Sequence, residues 1–476
     1  MKKVFHFLLI ISLATGVISC KKSDPPAPDN TVNFESAKQG LEAAARETVV
    51  KINLATASSV AVPLTVNLTN TGLSYGLEYT TEPAATNNTL SLTIPAGGTS
   101  VSFKVKKVAN AVINGTETID FTISSAGNPI VLGITVKTQL SFSSITSEGS
   151  RLTLKGIVGA EIGSAALNSV FVDLSSNSTV NVKRDSWVLG FSSGTDFRVR
   201  LNNTNGTSAI KLNGKVDLNA VSETDVILDD LSITTGVSGA KSFANIDNVK
   251  GDVTKDIISN VSATDAENMV YVVNPAGGVR GVEVSADNLL KIRILRKGSG
   301  YTLQYAKLKD KTFKTLDITK DLANNFTFVA FSADAQVVNV EPTKTKWDFV
   351  WTWSIYYGKD SKNPEDDTLI YPYGYSDVVF MNNLGGAQAA EVLTSKIAFA
   401  NFKESDIAGI SLKVERNTIG SEWRSTMPAT GARADRFYVI KDASGNVYKL
   451  RFISMGSNDG GKRGEPVLEY VLVKKG

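Results

Sequence analysis

The sequence predicts an all-β protein built from antiparallel sheets. Short runs of alternating apolar and polar residues recur along the 476-residue chain. Clusters of Gly, Asn, Pro or Ser separate these runs at intervals of roughly 10 to 20 residues, as in β-sandwiches. Alternation with a period of two places one set of side chains on each face of a strand. Few helices are expected, the clearest being a short one at residues 386–395.

The first 19 residues have the layout of an export signal. Lys2 and Lys3 precede an apolar stretch that is too short and too close to the N terminus to be a stable membrane span. The segment Val17-Ile18-Ser19-Cys20 resembles a lipobox, which implies cleavage before Cys20 and attachment of a lipid to it. The alternative is an ordinary secretory signal with an incidental thiol. Residues 20–31, which are polar and rich in proline, then form an extended tether.

Composition excludes several chemistries. Cys20 is the only cysteine and His6 the only histidine, and His6 leaves with the signal. Disulfides, Ser-His-Asp triads, Cys-His dyads and bis-histidine haem ligation are therefore excluded in the exported chain. The chain carries 50 Lys and Arg against 47 Asp and Glu, so no basic face for nucleic acid is expected. No phosphate loop or spaced pair of catalytic carboxylates stands out, and we expect no enzymatic activity.

Residues 32–141 are predicted to form a β-sandwich. Alternating runs lie at residues 48–56, 59–69, 90–97, 99–108, 117–125 and 129–137. The segment at residues 37–47 has helical propensity, and it is expected to form a short helical turn or a strand imposed by its neighbours.

Three segments of this region occur in a recognisable order: "GLEYTTEP" from Gly76, "LTIPAGGTSVSFKV" from Leu92 and "NGTETIDFTIS" from Asn114. Their arrangement resembles a Calx-β sandwich, an immunoglobulin-like fold in which clustered carboxylates can bind calcium. The resemblance names Glu78, Glu117 and Asp120 as calcium ligands. Three carboxylates are few for calcium, which takes six to eight oxygen ligands, so a spacer role without calcium is the preferred interpretation.

Residues 142–476 are predicted to form a second, larger β domain. Residues 291–308 contain two alternating runs around "KGSGY", which is typical of a β-hairpin. A second hairpin is expected to turn at residues 442–446. Trp347, Phe349, Trp351 and Trp353 alternate with other residues, and this spacing predicts one aromatic face of a strand.

The order of segments in this region resembles the HmuY-like family. The segments are "NSVFVDLSSNSTVNVKRDSWVLGFSSGTDFRVRLN", the hairpin near residue 300, "VNVEPTKTKWDFVWTWSIYY", "VVFMNNLGGAQAAEV" and "RFYVIKDASGNVYKLRFISM". The resemblance covers about residues 165–476 and implies a large antiparallel β domain. It also implies a lipid-anchored protein of the Gram-negative outer membrane, displayed on the cell surface. Its best-known member passes haem to an outer-membrane receptor.

The family pattern of two histidine ligands is absent from this chain, so haem would need other axial ligands. Thioether sulfur is a plausible soft ligand for iron. Met381 and Met427 lie beside loops and are the candidate axial ligands, whereas Met269 lies in a strand-like run. Packing is the commoner role of methionine and is the alternative for both candidates.

Five tyrosines provide a second candidate site. The segments "SIYYGKD" and "IYPYGYSD" contain Tyr356, Tyr357, Tyr371, Tyr373 and Tyr375. Such rings stack on a porphyrin or a sugar, and a phenolate can bind ferric iron. The leading hypothesis is therefore a lipoprotein that captures haem or another porphyrin. The rival hypothesis is a surface adhesion or scaffold protein that keeps the fold and binds glycan or protein.

Overall fold

The computed structural model describes residues 29–41, 45–109, 111, 113, 115–142, 146–233, 243–277, 283–359, 366 and 369–476. The predicted signal peptide, Cys20 and most of the tether lie outside these residues. Within them, no helix is long and apolar enough to cross a membrane.

Ten strands come first: β1 Thr31–Phe34, β2 Lys38–Gly40, β3 Glu47–Leu54, β4 Val62–Thr71, β5 Tyr79–Glu82, β6 Thr89–Ile94, β7 Ser100–Lys107, β8 Thr118–Ala126, β9 Val131–Leu132 and β10 Lys137–Ser141. They form sheet I, in the order β5-β7-β3-β1-β9, and sheet II, in the order β2-β10-β8-β4-β6. One apolar core containing side chains of both sheets, such as Phe103 and Phe121, holds the two together. This part of the chain is a β-sandwich.

Ten strands follow: β11 Gly149–Thr153, β12 Asn168–Asp173, β13 Ser178–Lys183, β14 Leu189–Ser192, β15 Val199–Leu201, β16 Ser208–Leu212, β17 Val270–Asn274, β18 Leu290–Lys297, β19 Gly300–Lys307 and β20 Lys314–Ile318. The last ten are β21 Phe326–Phe331, β22 Ala335–Val338, β23 Phe349–Gly358, β24 Tyr371–Met381, β25 Gln388–Leu393, β26 Arg424–Ser425, β27 Gly431–Ala432, β28 Arg436–Lys441, β29 Val447–Ser454 and β30 Val467–Lys474. Short 3₁₀ turns connect them: Gly163–Ala165, Leu218–Ala220, Glu223–Asp225, Leu228–Leu231, Val253–Lys255, Asp265–Glu267, Ala286–Asn288, Asn383–Gly385, Phe399–Asn401 and Glu404–Gly409.

The strands after residue 148 form four larger sheets and a two-stranded one, β26-β27. Sheet III has the order β11-β30-β29-β28-β25 and sheet IV the order β13-β12-β23-β24. Sheet V has the order β15-β14-β21-β22 and sheet VI the order β16-β17-β18-β19-β20. One apolar core lies between sheets III and IV, a second between IV and V, and a third between V and VI. The four sheets are therefore stacked as layers.

Sheet IV is buried on both faces because it is an inner layer. Along β23, Phe349 and Trp351 pack toward sheet III, whereas Val350 packs toward sheet V. The predicted single aromatic face is therefore wrong in part. Trp347 precedes the strand and packs toward sheet V, and an irregularity between Thr352 and Ser354 moves Trp353 into a separate cluster.

The predicted helix at residues 386–395 is a strand. β25 pairs with β28 along its whole length, and three of its six residues are buried. Packing against β28 and the core overrides the helical propensity of Ala, Gln and Glu. The segment at residues 37–47 likewise contains strand β2, which pairs with β10, whereas residues 42–44 lie outside the described part.

Candidate functional site

The tyrosine cluster lies on the hairpin formed by β23 and β24. Antiparallel pairing sets Tyr356 opposite Tyr373 and Gly358 opposite Tyr371. The side chains of Tyr356, Tyr371 and Tyr373 therefore share one face of the hairpin. Ring centroids are 6.3 Å apart between Tyr371 and Tyr373, 5.1 Å between Tyr373 and Tyr375, and 5.7 Å between Tyr375 and Tyr356. We call these four residues the tyrosine ladder.

The ladder runs from solvent into the core. Tyr373 is 47% exposed, Tyr371 and Tyr375 are half-buried, and Tyr356 is only 4% exposed. Burial raises the pKa of Tyr356, and Asn417 donates a hydrogen bond of 3.1 Å to its hydroxyl. Tyr356 is therefore a neutral anchor for the outer three rings, and only the outer rings can meet a ligand from solvent.

Tyr357 follows Tyr356 in β23, and the centroids of their two rings are 4.5 Å apart. It is opposite Pro372, and it packs beside Trp353 and Ile355 in a small cluster. The ammonium group of Lys250 lies 5.2 Å from the centre of its ring. All five predicted tyrosines therefore form one connected group of rings, in which Tyr371, Tyr373 and Tyr375 are the outer members.

The two candidate methionines differ in exposure. Met381 is 2% exposed at the inner end of β24, whereas Met427 is 80% exposed on the segment between β26 and β27. Arg424, in β26, donates a hydrogen bond to the carbonyl of Ser376, near the ladder end of β24. Met381 lies six residues beyond Tyr375 along that strand, about 20 Å away at about 3.3 Å per residue. Met381 is therefore buried in the core and Met427 is largely exposed, and joint axial ligation by the two stays a prediction.

Haem would need other donors in this chain. A tyrosine phenolate is a known axial ligand, and Tyr373 offers the most exposed phenol of the ladder. The chemistry of the donor set thus fits ferric haem through a phenolate and does not fit the two-histidine pattern of the family. When bound, the haem itself would supply the iron and the flat apolar ring, while the tyrosines would supply ligation and stacking.

The calcium candidates are engaged in local contacts. Glu78 accepts a hydrogen bond of 2.7 Å from the amide of Ser74, and Asp120 accepts one of 2.9 Å from the side chain of Gln139. Glu117 is 7% exposed and accepts a hydrogen bond from the amide of Gly115. Over the described residues, no group of three or more His, Cys, Asp or Glu is placed to hold a metal ion. The structure thus does not gather the three carboxylates into a site.

A second feature, which sequence reasoning missed, is a cleft between sheets IV and V. Arg200 of β15 and Arg416 of the loop before β26 line it, together with Trp347 and Met381. The two adjoining spaces of this cleft have a volume of about 60 Å³ each. Each has room for several water molecules but not for a porphyrin. No motif marks the cleft in the sequence, because its two arginines, Arg200 and Arg416, are 216 positions apart.

The geometry defines a class of protein: an all-β protein of stacked antiparallel sheets with an exposed aromatic hairpin. The profile of the HmuY protein family matches residues 166–470, which is more than half of the chain. The chain therefore belongs to the HmuY family. No curated protein matches it significantly.

Solved structures give weaker similarities. The apo-form Calx CBD1 domain is 12% identical with a TM-score of 0.21, covering 24% of this chain and 97% of that one. A two-domain protein of unknown function from Bacteroides fragilis NCTC 9343 is 8% identical with a TM-score of 0.19, covering 65% and 86%. A provisionally carbohydrate-binding protein from Bacteroides ovatus ATCC 8483 is 11% identical with a TM-score of 0.17, covering 74% and 98%. At these TM-scores the three similarities carry no argument about this chain.

Proposed function

We propose that the chain is a lipid-anchored, non-enzymatic binding protein of the outer membrane that takes a flat ring ligand on the tyrosine ladder. Haem or a related porphyrin is the first candidate ligand, and the protein would pass it to an outer-membrane receptor. The observation that carries the proposal is the unbroken contact of Tyr371, Tyr373 and Tyr375 on an exposed face within the family-matched region. Aromatic rings stack on such ligands and add binding energy beyond simple area burial.

A glycan is the second candidate, and a specific observation favours it. The exported chain contains no histidine, and of its two candidate methionines one is buried and the other largely exposed, which leaves the phenols as the donors grouped at an exposed face. A sugar ring needs no metal ligand, because its apolar face stacks on tyrosine and its hydroxyls bond to nearby polar groups. Under this alternative the protein is a surface adhesin or scaffold with an inherited fold.

Tyr373 variants separate ligation from stacking. We expect haemin to bind the exported chain with a saturable, shifted Soret band. Tyr373→Phe keeps the ring and removes the phenol, so it should abolish the ferric phenolate spectrum while weakening affinity less than Tyr373→Ala. Visible absorption in oxidised and reduced states provides the measurement. Tyr271→Phe, which removes a phenol from β17 in sheet VI, is the matched control and should leave the spectrum unchanged.

The alternative outcomes discriminate between the ligands. A spectrum identical to that of free haemin would exclude porphyrin and leave the glycan. A glycan array probed with the same variants should then show binding that Tyr373→Ala loses and Tyr373→Phe retains. Absence of binding in both experiments would overturn the tyrosine ladder as a ligand site.

A further inference from the structure

The cleft between sheets IV and V contains two cations without protein acceptors. The Arg200 guanidinium lies 4.8 Å from the centre of the Phe326 ring, and that of Arg416 lies 3.8 Å from the centre of the Phe380 ring. Within the described part of the chain, neither guanidinium donates a hydrogen bond to the protein or lies within 4.0 Å of a carboxylate oxygen. Each guanidinium has five N–H donors, so the cleft presents an array of unused donors. We call this feature the arginine cleft.

The two guanidinium groups also repel each other, because both are positively charged. Burial and, after it, the charge of Arg200 lower the pKa of Arg416 to about 9. Arginine is ordinarily charged throughout the pH range of proteins. Two like charges in a partly dehydrated cleft raise the free energy of the folded protein unless an anion binds between them. A guanidinium group can donate two parallel hydrogen bonds to one carboxylate.

The neighbouring carboxylates do not fill that role. Asp247 accepts hydrogen bonds from the amides of Leu201 and Ile257 at 2.5 and 3.0 Å. Glu341 accepts two of 3.1 Å from the amides of Asn325 and Phe326. These acids connect the chain segments around the cleft, and their best hydrogen bonds are to backbone.

Burial also reduces the charge of these acids. It raises the pKa of Asp247 to about 8 and that of Glu341 to about 7, and it raises the pKa of Asp256 as well. Asp247 and Glu341 are therefore partly or largely protonated near neutral pH. They neutralise the arginines incompletely, which leaves a net positive site.

Two buried polar atoms in the cleft have no partner. Trp347 is 8% exposed and Asn203 is 7% exposed, and both line the two spaces of the cleft. The indole N–H of Trp347 and the amide oxygen of Asn203 make no hydrogen bond. Buried polar groups are nearly always paired, and an orphaned one costs about 1–3 kcal/mol. The cleft thus offers one unused donor and one unused acceptor beside its two cations.

We propose that the arginine cleft binds a small hydroxy-carboxylate, with a uronic acid as the representative ligand. The carboxylate bridges Arg200 and Arg416, and a ring or chain hydroxyl accepts from Trp347 while another donates to Asn203. Phe326 and Phe380 hold the guanidinium planes by stacking and so preorganise them. Neutral sugars lack the anion, and inorganic sulfate lacks the donor hydroxyl, so both satisfy only part of the site.

Calorimetric titration of the exported chain with galacturonate tests this assignment. We expect saturable binding, with galactose at least tenfold weaker and sulfate intermediate. Arg416→Met keeps an apolar stem beside Phe380 and removes the charge, so binding should fall at least tenfold; Arg200→Met should behave likewise. Arg151→Met, on exposed β11, is the matched control and should bind as the wild type does.

Trp347→Phe is a second test of the site, and it does not depend on correct folding of the arginine variants. Its indole N–H has no partner, so this change should weaken galacturonate binding severalfold, while circular dichroism should show the same β-sheet spectrum as for the wild type. Methyl galacturonoside distinguishes the two sources: binding of the glycoside indicates the end of a glycan, and binding of the free acid alone indicates a metabolite.

Loss of galacturonate binding in both arginine variants would assign the binding to the arginine cleft and not to the tyrosine ladder. Failure of haemin and glycans to bind the ladder would not affect the result here. Absence of galacturonate binding by the wild type, or equal binding by wild type and both arginine variants, would overturn the assignment.

Discussion

Trp423→Ala is expected to lower the free energy of unfolding by about 3–5 kcal/mol, the range for removing a fully buried large aromatic side chain. Trp423 is 1% exposed in the core between sheets III and IV. Its ring stacks on Phe452 at a centroid distance of 4.0 Å, and its indole N–H donates a hydrogen bond of 2.8 Å to the carbonyl of Asp377. The substitution leaves a large cavity and an unpaired carbonyl, neither of which backbone movement in two paired sheets can close.

Equilibrium unfolding in urea, followed by tryptophan fluorescence, measures this loss. All five tryptophans lie between residues 187 and 423, so the signal reports on sheets III to VI and not on sheets I and II. Trp353→Ala is the control, because Trp353 is half-buried in a small cluster and its removal should cost clearly less. A Trp423→Ala protein within about 1 kcal/mol of the wild type would contradict the assignment of this core.

Local signals predicted the hairpins correctly because the turn itself is encoded. The expected hairpin at residues 291–308 is β18 and β19, joined through Gly298 at a φ of +57°, a conformation that glycine adopts without strain. The hairpin at residues 442–446 is likewise confirmed. There the Asp442 carboxylate accepts hydrogen bonds from the amides of Ser444 and Asn446. In both cases the residues that determine the structure are neighbours in sequence.

Predictions that depend on distant neighbours did less well. The strand expected at residues 129–137 is only Val131–Leu132, which pairs with β1, and β10 begins at Lys137. The alternation around Trp351 predicted one buried face, but the layered stack buries both faces of β23. Period-two alternation identifies a strand and cannot show which of its faces will be covered by another sheet.

The same limit applies to the candidate sites. Four tyrosines could be grouped from the sequence because they lie on two strands that pair directly with each other. Met381 and Met427 seemed equivalent beside loops, yet one is in the core and the other is largely exposed. The arginine cleft depends on Arg200, Trp347 and Arg416, which the stacking of sheets brings together. Only the tertiary structure shows that their donors lack acceptors.

Asp348 is expected to make the stability of the protein fall as pH rises. Its side chain is 4% exposed, and it accepts a hydrogen bond of 2.8 Å from the amide of Leu174. Burial raises its pKa well above the ordinary range for aspartate, and the nearby carboxylate of Asp173 raises it further. The folded state therefore holds a proton that the unfolded chain releases near pH 4. Stability is full below that pH and is lost progressively as pH rises toward the folded-state pKa of Asp348.

Asp348→Asn should remove this loss, because asparagine is uncharged and its amide oxygen still accepts from Leu174. The variant should therefore exceed the wild type in stability at pH 8. Urea unfolding at pH 5, 7 and 8 measures the difference, which should shrink toward pH 5. Asp435→Asn provides a control of opposite sign, since hydrogen bonds from Arg436 and Arg433 lower the pKa of Asp435. Parallel pH profiles for wild type and Asp348→Asn would show that Asp348 is charged in the folded protein, and that the core between sheets III and IV stabilises a buried anion.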